Sequence, residues 1–309
     1  MPFELTILGT SSATPTLDRH PSAQFLIFGE HYILIDCGEA AQMQLMRYGL
    51  KSFKIDIIVI SHLHPDHYLG LPGLVSSLSL KGRKEPLYIY CPKGLQEIME
   101  VQFLYGEMHL SYPIHFHTLE NKGEKLIFED KNLDIISFPV KHRVPCWGFV
   151  FQEKKYPRKI NKDLPEPQKL PVEAYSIFRQ GKDYTGPDGV VMNYLDYTIP
   201  NDPPVCYTYI TDTLFLPEVA KSLAKYNIDL LYHEATFLSD LKNKADDTYH
   251  STAAEAAEFA RLSGAKKLLI GHFSSRYSDL SPLLEEARKT VPETYLALEG
   301  ECFKSHPNN

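Results

Sequence analysis

Three histidines and an aspartate lie close together in His62-Leu63-His64-Pro65-Asp66-His67, an HxHxDH pattern. Imidazole and carboxylate are ligands for zinc and related divalent ions, so the chemistry this stretch suggests is metal binding. The element that must position it comes just before. Ile57-Ile58-Val59-Ile60 is an apolar, β-branched run after Lys/Asp turn signals and reads as a buried strand. The candidate ligands then fall on a loop at the carboxyl end of a central strand, where open α/β sheets place their sites.

The same placement recurs along the chain. Asp36, His62, His142, Asp212, His233 and His272 each stand at or near the end of an expected strand, which predicts one shared rim. His62, His64 and His142 can hold one ion, and Asp66, His67 and His272 another. Asp212 can bridge the two together with a hydroxide. Two divalent cations outweigh Asp66, Asp212 and one hydroxide, so the site keeps a positive charge and favours an anionic substrate such as a phosphodiester. Histidine-rich ligation suits zinc, with manganese, iron and cobalt as alternatives. The alkoxide leaving group of a phosphodiester needs a proton or a cation, and His250 with Glu234 are the candidates for that acid role. Asp36 reads equally as an outer hydrogen-bond acceptor for a ligand histidine or as a helix N-cap.

The intervening elements alternate. Strands are expected over residues 3–9, 24–36 (broken by a turn at Gly29-Glu30-His31), 87–90, 205–211, 228–232, 267–270 and 295–298, with a series of β-type segments up to about 151. Helices are expected over 39–48, 71–80, 92–103, 216–226, 253–262 and 282–290, with a capping box from Ser251 or Thr252 to Glu255. His115 and His117 share a strand face and, lacking a third ligand, read as ordinary strand residues. Residues 152–204 break the rhythm. They are proline-rich, weakly periodic and basic (Lys154, Lys155, Arg158, Lys159, Lys162 and Lys169, the last outside the residues described below), and read as an inserted arm or irregular segment rather than a core layer.

A net charge of −7 excludes a broadly basic nucleic-acid-coating protein, though not a nuclease with a local basic patch. No apolar run approaches the ~20 residues that span a bilayer, and the first residues lack a secretory signal pattern. We therefore expect no membrane association and an intracellular, cytoplasmic location. Five scattered cysteines without a CxxC read as free thiols. Cys146, close after His142, is expected to pack rather than ligate.

These motifs resemble the metallo-β-lactamase superfamily and, within it, the ribonuclease Z family. The resemblance rests on Leu8-Gly9-Thr10-Ser11, the HxHxDH stretch with Gly70-Leu71-Pro72-Gly73-Leu74, His142-Arg143-Val144-Pro145 and Thr211-Asp212-Thr213. It extends to His233-Glu234-Ala235-Thr236, His250-Ser251-Thr252 and Gly271-His272-Phe273-Ser274-Ser275-Arg276-Tyr277. It implies a four-layer αββα sandwich formed by one domain over residues 1–309, with 152–204 as an inserted, tRNA-gripping arm. It implies a homodimer, two zinc ions per subunit, and cleavage of a tRNA precursor after the discriminator nucleotide to leave a 3′-hydroxyl. It also implies that Asp66 serves as base and that Ser274 and Arg276 contact a phosphate. Two departures stand out: Arg19-His20 where the family usually has Arg-Asn, and a Gly-Pro pair only late in the arm, at Gly186-Pro187. A same-fold hydrolase of a small ester, thioester or cyclic phosphodiester is the alternative, and a non-catalytic RNA-binding protein that keeps its metal for stability is a third reading.

Overall fold

The computed structural model describes residues 3–164 and 170–305. Its strands are, in chain order, β1 (Phe3–Gly9), β2 (Ala23–Phe28), β3 (His31–Cys37), β4 (Ile57–Val59), β5 (Leu87–Cys91) and β6 (Ile114–Thr118), then β7 (Lys125–Glu129), β8 (Leu133–Val140) and β9 (Cys146–Glu153). After the four short strands β10 (Arg158–Ile160), β11 (Tyr184–Thr185), β12 (Val191–Met192) and β13 (Thr198–Pro200) come β14 (Cys206–Ile210), β15 (Leu230–Glu234), β16 (Leu268–Gly271), β17 (Thr294–Leu296) and β18 (Cys302–Lys304).

Two seven-stranded sheets result, in the orders β18-β1-β2-β3-β4-β5-β6 and β17-β16-β15-β14-β9-β8-β7. Each has a parallel half, β3 to β6 in one and β14 to β17 in the other. One apolar cluster fills the space between the sheets, with Ile33, Ile57, Val59, Phe149, Tyr209 and Tyr232 among its members. The outer face of the first sheet is covered by α1 (Ala41–Arg47), α3 (Leu71–Leu80) and α4 (Leu95–Tyr105), with the single-turn α2 (Pro65–Tyr68) between the first two. The second sheet's outer face is covered by α7 (Pro217–Leu223), α9 (Ala253–Ser263) and α10 (Ser281–Arg288). This is a four-layer αββα sandwich. It explains the unbroken apolar run in β4: Ile57 and Val59 face the other sheet while Ile58 packs under the helices, as a strand covered on both faces requires.

The segment Glu153–Pro204 is a separate compact unit. It is not irregular. Strands β10 and β13 pair antiparallel, as do β11 and β12. Helices α5 (Val172–Arg179) and α6 (Tyr194–Tyr197) accompany them, and Leu170, Ala174 and Phe178 form a small core. Phe178 stacks on Tyr197 at 5.0 Å. Most of what packs around this core is tyrosine (Tyr175, Tyr184, Tyr194 and Tyr197), which is why aliphatic periodicity is a poor guide to it. Three further elements differ from expectation. The last described strand is β18, beside β1, rather than the strand at 294–296. Residues Lys242–Thr248 form α8. The segment carrying Asp66 and His67 is the helical turn α2 rather than a loop, begun by Pro65 with its preset φ.

Candidate active site

The site forms where the parallel strands end. Asp36, Asp212 and His272 close β3, β14 and β16 with φ of 54°, 41° and 57°. These are left-handed conformations for residues with a Cβ, each costing about 1–3 kcal/mol and typical of functional positions. The left-handed turn aims Asp212 and His272 into a common space and Asp36 at the back of His67. That space is a cleft of about 350 Å³ whose lining includes Ala13, Asp66, His142, Asp212, His250 and His272.

Donor atoms converge in three groups: His62, His64, His142 and Asp212; Asp66, His67 and His272; and Asp212, His250 and His272, the last sharing a residue with each of the others. His64 Nδ1 lies 3.1 Å from both His62 Nε2 and His142 Nε2. Asp212 faces the first two groups. Its Oδ2 is 3.5 Å from His62 Nε2 and 3.7 Å from His142 Nε2, while its Oδ1 is 3.4 Å from His67 Nε2 and 3.1 Å from His272 Nε2. Asp66 Oδ2 lies 3.4 Å from His67 Nε2 and 3.6 Å from His272 Nε2 and accepts the Ala13 N–H at 2.9 Å.

Outer partners fix which nitrogen each ring offers. His67 Nδ1–H donates to Asp36 at 2.8 Å, and His142 Nδ1–H to the Tyr249 carbonyl at 3.0 Å. His272 Nδ1–H donates to Thr236 Oγ1 at 3.0 Å, whose own proton goes to Glu234. Ser61 Oγ gives its proton to Asp36 and accepts from His62 Nδ1–H at 3.1 Å. Four histidines therefore turn Nε2 lone pairs inward. Among the described residues, His67 Nε2 and His272 Nε2 are buried without any hydrogen-bond partner. Lone pairs crowded at 3.1 Å repel unless a cation lies between them, and that spacing approaches the ~3.3 Å edge of a tetrahedron with ~2.0–2.1 Å metal–nitrogen bonds. The donor set fits divalent metal ions. The electrostatics agree: burial opposes charge on Asp66 and Asp212, yet the surrounding imidazoles hold both carboxyls well below the usual range.

Asp36 is an outer acceptor. It takes hydrogen bonds from His67, Ser61 N, Ser61 Oγ and the Tyr209 hydroxyl, whereas α1 has Ala40 at its N-cap. His250 stands beside the cluster, its ring 5.4 Å from that of His272, and pairs through Nδ1 with Glu234 Oε1 at 3.0 Å. Burial disfavours its charge, but the Glu234 carboxylate overcomes this and raises its pKa to about 9. The capping box of Thr252 and Glu255 starts α9 immediately after His250.

One member of the expected rim is absent from it. His233 precedes Glu234 on β15, so the two alternate across the sheet. Glu234 faces the site, and His233 packs against Phe259 of α9, 4.9 Å between rings. Its place at a strand end was legible; its face was not. Cys146 is buried with its thiol 3.9 Å from the Thr211 carbonyl, and His115 and His117 lie on β6. Arg276 Nε donates to Ser274 Oγ at 2.9 Å while its guanidinium covers the Phe237 ring. Arg19 reaches the Ser274 carbonyl at 3.3 Å, and His20 closes on Glu299 through its N–H and Nδ1 at 2.6 and 2.7 Å, so the Arg19-His20 loop is tied down at both residues. Ser61, Tyr209 and the Tyr249 carbonyl were not singled out in the sequence. The available signal was weak: a tyrosine inside a buried strand must find a partner for its hydroxyl.

Fold and site together define a metallo-β-lactamase-fold protein. Proteins sharing the architecture include human tRNase Z, short form (TM-score 0.71, 27% identity, covering 97% of this chain and 98% of that one), and YhfI from Bacillus subtilis (TM-score 0.69, 18% identity, covering 98% and 100%). The chain belongs to the ribonuclease Z family: it is 42% identical to a ribonuclease Z of Bacteroides fragilis over 301 residues, 97% of this chain and 98% of the relative. A ribonuclease Z of Cytophaga hutchinsonii is 44% identical over 306 residues, 98% of this chain and 96% of the relative. Residues 3–155 also match the model of the anti-Pycsar protein Apyc1 family.

Proposed function

We propose that this chain is a tRNA 3′-processing endonuclease, a metal-dependent phosphodiesterase that cuts a tRNA precursor after the discriminator nucleotide and leaves a 3′-hydroxyl on the tRNA. The donor set would take two zinc ions: His62, His64 and His142 would hold one, Asp66, His67 and His272 the other, and Asp212 faces both sets. At such a pair, metal supplies Lewis acidity at the phosphoryl oxygens and lowers the pKa of water. The chain's own groups do the rest. Asp66 orients the attacking water and takes its proton. As the bond from phosphorus to the discriminator O3′ breaks, protonated His250 delivers its proton to that oxygen. Glu234 keeps His250 charged and oriented, so its role is positioning. Ser274 and Arg276 receive a phosphate of the substrate.

The observation that carries this reading is the His250–Glu234 pair, at 3.0 Å, at the margin of the His and Asp donor cluster. It supports the reading of His250 as the group that protonates the leaving alkoxide. Residues 152–204 are the surface that grips the tRNA body. Their charge is balanced, with eight Lys/Arg and eight Asp/Glu over 153–204, while the remainder of the chain carries the net −7. Lys159 pairs with Asp202 at 3.3 Å, and Arg158 is spent on Thr198. The arm thus meets RNA without the repulsion the rest of the chain offers, rather than as a strongly basic patch. Met43 and Met46 are exposed on α1, an apolar pair suited to covering by a second copy, and a homodimer completes the proposal. No described helix is long and apolar enough to cross a membrane. The test is incubation of the zinc-loaded protein with a pre-tRNA and, separately, with small linear and cyclic phosphodiesters. Efficient cutting of the pre-tRNA is expected. Turnover of the small diesters alone would favour the alternative hydrolase.

A further inference from the structure

We propose that an apolar cleft beside the donor cluster takes the base of the first trailer nucleotide, and that an exposed aromatic strip on β5 and β6 takes the bases that follow. The proposal rests on the tRNA-processing reading and adds the path of the leaving RNA strand. The cleft measures about 370 Å³ and is walled by Leu63, Pro92, Leu119, Val144, Pro145 and Trp147. That volume lies at the lower end of small-ligand sites and suits one nucleoside. Its place follows from the chain: Leu63 sits between His62 and His64, and Val144 is two residues beyond His142. A nucleotide whose phosphate lies at the cluster therefore has its own base within reach of this cleft. Apolar walls suit a base's faces, the Asn121 side chain can meet a base edge, and Lys93 brings a cation for the next phosphate.

The strip continues from the cleft's wall. Leu119 and Trp147 share an apolar cluster with Tyr90. Tyr90 stacks on His117 at 4.8 Å, His117 on Tyr88 at 6.2 Å, and Tyr88 on His115 at 5.1 Å. Tyr88, His115 and His117 are exposed at the edge of a sheet face that is elsewhere covered by the second sheet. These rings cover one another's faces, so the solvent edges of Tyr88 and His117 and the outer side of His115 at the end of the file are what unpaired bases can meet, with little regard to sequence. On the tRNA side of the scissile phosphate only the discriminator is unpaired before the acceptor stem begins. A file of rings therefore matches the single-stranded trailer.

Trp147 is the chain's one tryptophan, so its emission reports entry into the cleft. The zinc-loaded Asp66→Ala protein, which binds without cutting, is titrated with pre-tRNA bearing an intact trailer, an abasic first trailer nucleotide, or an abasic discriminator. Quenching is expected with the intact and discriminator-abasic RNAs and is lost with the trailer-abasic RNA. In the wild type the trailer-abasic RNA should show a KM raised about tenfold, the size of one lost base stack. Exchange of the exposed Tyr88 and His117 for alanine should erase any preference for trailers of several nucleotides over a single one. Quenching that ignores the trailer base would overturn the proposal, as would quenching lost only with the abasic discriminator. If wild type fails to cut intact pre-tRNA at all, the functional reading itself falls, and this proposal with it.

Discussion

At the scale of single residues, the proposed cleavage depends on proton traffic at His250. Burial alone would strip its charge; the Glu234 carboxylate restores it and raises the pKa to about 9. His250 then holds its proton over the neutral range and loses it as pH rises, so a rate that needs the proton falls on the alkaline side. Removing the carboxylate lowers the pKa. Glu234→Gln should therefore move the alkaline limb of kcat to lower pH, as read from single-turnover rates across pH. His250→Ala should cost about 10²–10⁴ in kcat, and a substrate with sulfur in place of the leaving oxygen should recover most of it, because a thiolate leaves without a proton. Most of this layer was legible in the sequence, since ligand-type residues are few and HxHxDH is specific. Side-chain direction was harder to read. His233 and Glu234 are neighbours that a strand sends to opposite faces, and only the packing against Phe259 shows which face is which.

Elements hold these residues by close backbone approach. Gly70 N–H donates to the Cys37 carbonyl at 2.9 Å, tying the end of β3 to the start of α3 just beyond Asp66 and His67. A Cβ on Gly70 would lie 2.2 Å from the Gly38 carbonyl oxygen, and one on Gly38 would lie 2.4 Å from the Asp66 carbonyl oxygen. Both obstacles are backbone and cannot swing aside. Gly70→Ala should cost about 1–3 kcal/mol, the scale of overpacking, and weaken metal retention because α2 must shift. Chemical denaturation and competition with a chelator check the two halves of that expectation. The parallel strands were readable, because burial on both faces leaves unbroken apolar runs such as Ile57-Ile58-Val59. Strand β18 was not: Cys302-Phe303-Lys304 is too short to carry a pattern, and its pairing with β1 spans nearly the whole chain.

At the scale of the molecule, the two sheets are also clamped away from the cluster. His31 on β3 bonds Asp56 at 2.6 Å and, through its other nitrogen, Asp130 in the turn between β7 and β8 at 3.3 Å. The hydrogen bond to Asp56 raises its pKa, against burial and with help from Asp130. A raised folded pKa gives stability that is fully present below the unfolded value of 6.5 and is lost as pH rises through the folded one. His31→Gln should lose about 1.5–3 kcal/mol in mild acid, the worth of hydrogen bonds to a charged group, and much less in alkali, as read from urea midpoints. Joining of the two sheets could not be deduced from composition, because no local pattern encodes contacts so distant in sequence. The boundaries of the arm were nearly legible, and the structure adds that its ends are neighbours: Gln152 lies opposite Cys206 in the β9–β14 pair. A short turn can therefore replace residues 153–204. That deletion should preserve turnover of a small phosphodiester and abolish efficient pre-tRNA cleavage, measured on one preparation.

In the reading proposed above, the His and Asp cluster cuts tRNA precursors, with Asp66 as base. The most direct test of that reading maps the ends formed from a trailer-bearing pre-tRNA by zinc-loaded wild type and by Asp66→Ala. The account predicts one cut after the discriminator, a 3′-hydroxyl on the tRNA, a 5′-phosphate on the trailer, and a rate about 10²–10⁴ lower or undetectable in the variant. An uncut precursor, or Asp66→Ala cutting as fast as wild type, would contradict it.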